Sequence, residues 1–283
     1  VPARGGAIQH LRFEGDELLA QMPWEPASYS AWMSESEWVE TWSGGWQLLV
    51  PNAGSRTMSV KPAQGFHGAA SISTWGFARH GADSATLTWE SNGLHVERRV
   101  SLADGAVAVE NTLSNRSNAS LPLIATEHLI IGETLLHESG ELQADSSMQV
   151  EELGYDGSPG SNGRLSWNDA GIARVDAETP ARLFVLSDLP ATGIGYRSAG
   201  LVLRLSWDTE AMPFAWLWEE IGATQEAPWR GQVRALGIEP SNTDHGLGLD
   251  YEIASGRVKF IEAGQTTKWW VNLNVSKVGK PHV

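Results

Sequence analysis

Three residues able to hold or move a proton stand far apart in this chain, each inside a short string. His67 lies in Phe66-His67-Gly68-Ala69, His128 in Glu127-His128-Leu129-Ile130-Ile131-Gly132, and Glu239 in Leu236-Gly237-Ile238-Glu239-Pro240. Gaps of 61 and 111 residues separate them, so no local element can bring them together and only the fold can. A histidine that gives a proton and a carboxylate that takes one are the minimum for general acid–base chemistry. Glu239 follows apolar Leu236 and Ile238 and reads as a carboxylate at the end of a buried strand. Loss of water there raises a carboxyl pKa toward the range of a useful base. Its other reading is a surface Glu at a strand end. His128 sits between Leu123-Ile124-Ala125 and Leu129-Ile130-Ile131; taken alone, it reads first as a core histidine bonded to a backbone carbonyl. His67 alone is an ordinary loop histidine, with Gly68 allowing close approach of backbone to a ligand.

The elements that must position these groups are strands. Leu94, Val96, Arg98 and Val100 share one face of a period-two pattern, and Ala106-Val107-Ala108-Val109 follows the turn signal Asp104-Gly105. Leu201, Leu203, Leu205 and Trp207 alternate with Val202, Arg204 and Ser206. Trp269, Val271, Leu273 and Val275 alternate with Trp270, Asn272 and Asn274. Half-buried antiparallel strands produce this pattern. The best helix signal is the capping box Ser34-Glu35-Ser36-Glu37, with Trp38 and Trp42 at i and i+4 and a stop at Gly44-Gly45. Loops are expected at Gly154 to Gly163, Asn115 to Ser120 and Thr243 to Gly248, none long enough to be a domain linker. No period of 20 to 50 residues marks a repeat. The expectation is one all-β domain over residues 1–283, a sandwich or barrel.

Composition narrows the partners. A net charge of −14 with scattered basic residues argues against nucleic acid. No apolar run is long enough to span a membrane, so no membrane partner is expected. Without cysteine there is no disulfide framework and no thiolate site. A cytoplasmic location is favoured by a narrow margin. The chain begins at Val1, without an initiator Met, so an export signal is not observable. Oligomeric state is not readable. The composition is unusual in tryptophan: 14 Trp against 6 Phe and 4 Tyr. Most should pack between sheets; the remainder could stack against the C–H face of a sugar.

In their order His, His, Glu, the three strings resemble the aldose 1-epimerase (galactose mutarotase) family, from roughly Gly44 through Asn242. The resemblance extends to Asn111-Thr112-Leu113-Ser114-Asn115 ahead of His128, and to the entry segment Gly44-Gly45-Trp46-Gln47-Leu48-Leu49-Val50-Pro51-Asn52-Ala53-Gly54. It implies the large antiparallel β-sandwich called the supersandwich, a monosaccharide partner and no cofactor. It further implies that Glu239 takes the proton of the anomeric hydroxyl, that His128 protonates the ring oxygen, and that His67 holds the sugar by a hydrogen bond. By this resemblance the chain reads as a divergent member. Better-known members follow this histidine with an aromatic-rich segment, where this chain has Leu129-Ile130-Ile131. They carry an Asn-Arg pair where it has Asn52-Ala53, which shifts the sugar-binding arginine to Arg56. Ile238-Glu239-Pro240 looks closer to the hexose-phosphate branch than to the galactose branch. The family's additional Asp has two possible counterparts, Asp188 and Asp208.

Pro213 to Glu220 combines aromatic and acidic residues. As function, Trp218 and Glu219 would line a sugar site; as structure, the segment is a core strand with an acidic end. His10, His80, His95, His137, His245 and His282 show no metal-ligand spacing, so no metal is expected. The Gly-rich segments lack the Lys-Ser/Thr of a phosphate loop, and Gly-x-Ser-x-Gly is absent. A phosphorylated sugar would need an Arg/Lys pocket, for which Arg56, Arg79 and Arg182 are candidates; overall acidity prefers a neutral aldose. Two rivals share the fold class: a carbohydrate-binding protein without catalysis and a polysaccharide lyase, which would want clustered cations for a uronate. His128 and Glu239 are expected on opposite sides of a sugar-sized space.

Overall fold

The structure, a computed structural model, describes residues 3–28, 33–103, 105–177 and 179–279. Strands make up 46% of it and helices 10%. Two antiparallel sheets carry the fold. The larger has ten strands, in the order 3–4, 74–80, 84–91, 94–103, 106–115, 266–277, 201–207, 194–198, 140–143 and 174–175. The smaller has seven, in the order 164–166, 149–153, 182–187, 214–221, 234–241, 126–131 and 46–49. The all-β sandwich expected from period-two alternation is the one observed.

Alternation explains the packing. In Leu201–Trp207 every second residue is buried, and in Thr266–Lys277 the buried set includes Trp269, Val271 and Leu273. These side chains meet Leu48, Leu129, Ile131, Leu186, Leu217, Leu236 and Ile238 of the smaller sheet in one core. The hairpin expected after Leu94–Ala103 forms, with Ala103 opposite Ala106; Asp104 of its turn lies outside the described residues, as does His282.

Between the sheets sits a charged pair, its Arg98 on the buried face that it shares with Leu94 and Val96. Arg98 and Glu127 are both fully buried, with Nη1 2.9 Å from Oε2. The Glu127 carboxylate also accepts hydrogen bonds from Trp46 Nε1 (2.7 Å), Asn111 Nδ2 (2.7 Å) and Trp269 Nε1 (3.0 Å). Arg98, Asn111 and Trp269 belong to the larger sheet, Glu127 and Trp46 to the smaller. A buried charge without such partners would be prohibitively costly, so this network fastens the two sheets in one register. It also pins the strand that presents His128.

The outer face of the smaller sheet carries a second apolar cluster, built around Trp38, Trp42, Ile130, Leu49 and Trp216. The helix Glu35–Thr41 lies in it, with Ser34 as N-cap and the capping box formed. Its Trp38 and Trp42 stack 5.6 Å apart at 24°. Spacing by one helical turn puts both indoles over the same patch of sheet.

Candidate functional site

Strand register assembles the site. Thr126 pairs with Ser241 and Ile130 with Gly237, so His128 and Glu239 stand in line on neighbouring strands. Trp216 pairs with Glu239 on one side, and Gln47 with His128 on the other. Residues of one such row project from the same face of a sheet. The odd-numbered neighbours Glu127 and Leu129 turn inward, which leaves His128 on the outer face beneath the helix. Residues 111 apart in sequence thereby meet on one surface.

His128 Nε2 lies 4.0 Å from Glu239 Oε2, with both side chains almost wholly buried. The convergence expected of the three residues is found, but the spacing is not the expected one. His128 and Glu239 are adjacent, with no sugar-sized gap between them, because they occupy paired positions on hydrogen-bonded strands. His67 completes the group, its ring 5.4 Å from that of His128. Trp38 stands 4.5 Å from His67 and 5.7 Å from His128, and Trp42 5.2 Å from His128, all edge-to-face. Gly237 makes room for the carboxylate, since a Cβ there would stand 2.4 Å from Glu239 Oε1.

Burial sets the charge states. It holds His128 down to about 3 and lifts Glu239 well above the usual carboxylate range. His67 is also held well below its ordinary value, by burial and then by the neighbouring His128. Its Nδ1 accepts the Gly54 N–H at 2.9 Å, so the neutral ring carries its proton on Nε2 and offers a donor. His67 adopts a left-handed backbone (φ 59°) at the start of the short helix Gly68–Ile72. Gly68 serves the protein rather than a ligand: a Cβ there would meet the Val50 and Asn52 carbonyls at 2.7 and 2.6 Å.

These groups open into a cleft of about 670 Å³, counting its open mouth. Trp38, Trp42, Trp216, Trp218 and Trp229 supply its indoles, and Glu35, Tyr155 and Asp156 its other polar walls. Tyr155 accepts a hydrogen bond from Trp218 Nε1 at 3.1 Å. Sequence reasoning passed over Tyr155, Asp156 and Trp229, which lie on loops. The Gly/Pro/Ser composition of Gly154 to Gly163 marked a loop without showing what it covers.

Other expected residues are elsewhere. Trp218 lines the cleft, but Glu219 does not. One step along the strand, Glu219 turns inward, is fully buried, and accepts from Arg182 Nε at 2.8 Å. Arg182 is thus committed to that pair. Arg56 is exposed and is not in the cleft wall; it faces Glu37 of the capping helix. Asn52 is structural, its side chain bonding Ser55, Gly65, Thr57 and Leu249. Asp188 and Asp208 are outside the cleft, and Asp208 caps the turn at Glu210 and Ala211. Asp244, His245 and Glu252 bring possible ligand atoms within 4.8 Å of one another, though sequence spacing gave no sign of it. The Arg257 guanidinium already supplies the cation there, bonding Asp244 at 2.9 Å and His245 at 3.1 Å.

No protein-family profile matches the chain, and no curated protein matches it. Solved structures do. The Slr1438 protein of Synechocystis sp. PCC 6803 superposes with a TM-score of 0.71 at 16% identity, over 98% of this chain and 91% of that one. A candidate aldose 1-epimerase from Escherichia coli K12 gives 0.71 at 15% identity, over 97% and 94%. A galactose mutarotase related enzyme from Lactobacillus acidophilus gives 0.67 at 14% identity, over 99% and 96%. The chain therefore has the galactose mutarotase-like fold along nearly its whole length, as the resemblance of its motifs implied.

Proposed function

We propose that the protein is an aldose 1-epimerase, interconverting the α and β anomers of a neutral aldose by general acid–base catalysis. The observation that carries this reading is the buried His128–Glu239 pair, 4.0 Å apart at the floor of an aromatic cleft. The two oxygens that must exchange protons, O1 and the ring oxygen O5, are bonded to the same carbon. An acid and a base standing side by side suit that substrate better than groups a ring-width apart.

The pair works with one shared proton. In the ring-opening step Glu239, as carboxylate, takes the O1 proton while His128, as imidazolium, delivers one to O5, and the C1–O5 bond breaks. This leaves the open aldehyde beside neutral His128 and protonated Glu239. Rotation about C1–C2 presents the other carbonyl face, and closure reverses both transfers. The burial that favours neutral forms stabilises the enzyme state that accompanies the open aldehyde. His67 Nε2–H would hold a ring hydroxyl. Among the described residues, no Arg or Lys lines the cleft, which favours an unphosphorylated sugar and counts against the lyase reading, since a uronate would want a cation.

The alternative is a sugar-binding protein that performs no chemistry, to which the aromatic walls would be equally suited. Exchange spectroscopy on a panel of free and phosphorylated aldoses separates the two. Faster α/β exchange than in buffer supports the epimerase, and binding without exchange on every sugar supports the binder.

A further inference from the structure

The indoles of the cleft continue past the point that a single pyranose at the His128–Glu239 pair would need. From Trp42 the row runs to Trp218 (ring centroids 6.1 Å), then to Trp229 (5.6 Å) and to Trp24 (5.6 Å). Exposure rises along it. Trp38, Trp42 and Trp216 are 3 to 4% exposed, whereas Trp218, Trp229 and Trp24 are only half-buried. The inner three are accounted for by packing. The outer three keep part of their indole surface in water, Trp218 and Trp229 in the cleft wall and Trp24 beside Trp229, and a flat apolar ligand would cover it.

We propose that Trp218, Trp229 and Trp24 form a second sugar subsite, and that the substrate is the reducing end of a neutral di- or oligosaccharide. The inference rests on the epimerase reading for its direction. With C1, O1 and O5 at the catalytic pair, the remaining hydroxyls of the reducing ring point away from it. A glycosidic bond at one of them carries the next ring outward, along the indoles. Stacking on the C–H face of a pyranose asks only for flat apolar surface. The acceptors that sugar hydroxyls require stand nearby as the Glu35 and Asp156 carboxylates in the same cleft wall. Those carboxylates, with no Arg or Lys among the lining residues, would repel a phosphate or uronate and admit a neutral ring.

The test compares glucose with cellobiose, maltose and lactose, which share its reducing ring, in two readouts: anomer exchange by NMR and affinity by tryptophan fluorescence. The expected result is a disaccharide kcat/KM and affinity about tenfold above those of glucose for at least one linkage. Trp229→Ala should cut the disaccharide-to-glucose ratio by a similar factor, and Trp229→Tyr should restore most of it. If Trp229→Ala does not fold, Trp24→Ala reads the same ratio. Disaccharides no better than glucose in either readout, or a ratio unmoved by the substitutions, overturn the subsite. Glucose exchange without a disaccharide advantage sinks the subsite alone and leaves the epimerase standing. Disaccharide binding that depends on Trp229, with no exchange of any sugar, sinks the epimerase alone.

Discussion

Gly237 and Glu239 are two positions apart on one strand, and the carboxylate of the second folds back over the bare backbone of the first. A methyl group on Gly237 would stand 2.4 Å from Glu239 Oε1 and 3.1 Å from Ile130 Cδ1. The glycine is needed for that space, since its backbone angle is not in the left-handed region. Gly237→Ala should therefore fold but push the carboxylate out of place. A displacement near 1 Å costs about 10² in rate when reacting groups must be aligned. Exchange falling about a hundredfold with near-native thermal stability is the expected outcome, and wild-type exchange would show that the carboxylate position does not matter.

Glu239→Gln keeps the shape of the side chain and removes its ability to take a proton. Sugar affinity should largely survive while exchange drops by about 10² to 10⁴. His128→Asn should slow exchange as well. Because one event uses both groups, the double variant should be little worse than the poorer single one. Exchange by Glu239→Gln at the wild-type rate would assign the chemistry to another residue.

The pH profile follows from the inverted order of the two groups. His128 is held down to about 3 and Glu239 lies well above its ordinary value, so the one-proton pair persists between them. The rate should be bell-shaped. Its acidic limb comes from a second proton entering, mainly on His128, and its basic limb from the last proton leaving, mainly from Glu239. This reverses the assignment that unperturbed values would suggest. In rate profiles of the residual activity, His128→Asn should keep a single acidic limb, set by Glu239 becoming a carboxylate, and Glu239→Gln a single basic limb, set by His128 losing its proton.

Stability should carry the same signature. A histidine held low in the folded state stabilises it above its unfolded pKa of about 6.5, and that contribution is lost as pH falls toward 3. Glu239, held high, acts oppositely: its contribution is full below the unfolded carboxylate value and lost as pH rises through its raised one. Urea unfolding at pH 7 and pH 4 should show a smaller drop for His128→Asn than for wild type. An equal drop would mean that His128 titrates normally.

The Arg98–Glu127 pair offers a test of how the sheets are fastened. Removing one partner leaves a buried charge unpaired, so Arg98→Met and Glu127→Gln should each cost about 3–5 kcal/mol. The double variant Arg98→Met/Glu127→Gln should cost less than the sum of the two, measured by urea unfolding.

Strand-rich architecture was legible because alternation is a property of consecutive residues: Leu201 to Trp207 and Trp269 to Val275 declare their buried faces without outside help. The capping box at Ser34 and the Trp38/Trp42 spacing are equally local, and the helix formed where they indicated. The identities of His67, His128 and Glu239 could be picked out for the same reason, as chemically capable residues inside short motifs. Where they stand relative to one another could not. That depends on the pairing of Thr126 with Ser241 and Ile130 with Gly237, a long-range register that only the packed sheets select, and it set the imidazole and the carboxylate side by side. Parity along a strand sent Trp218 into the cleft and Glu219 into the interior, although the two are adjacent in sequence. The loops brought Tyr155, Asp156 and Trp229 to the cleft by paths that no period describes. Burial, which holds His128 below its ordinary value and Glu239 above its own, belongs to no residue alone, because it is the exclusion of water by everything packed around them.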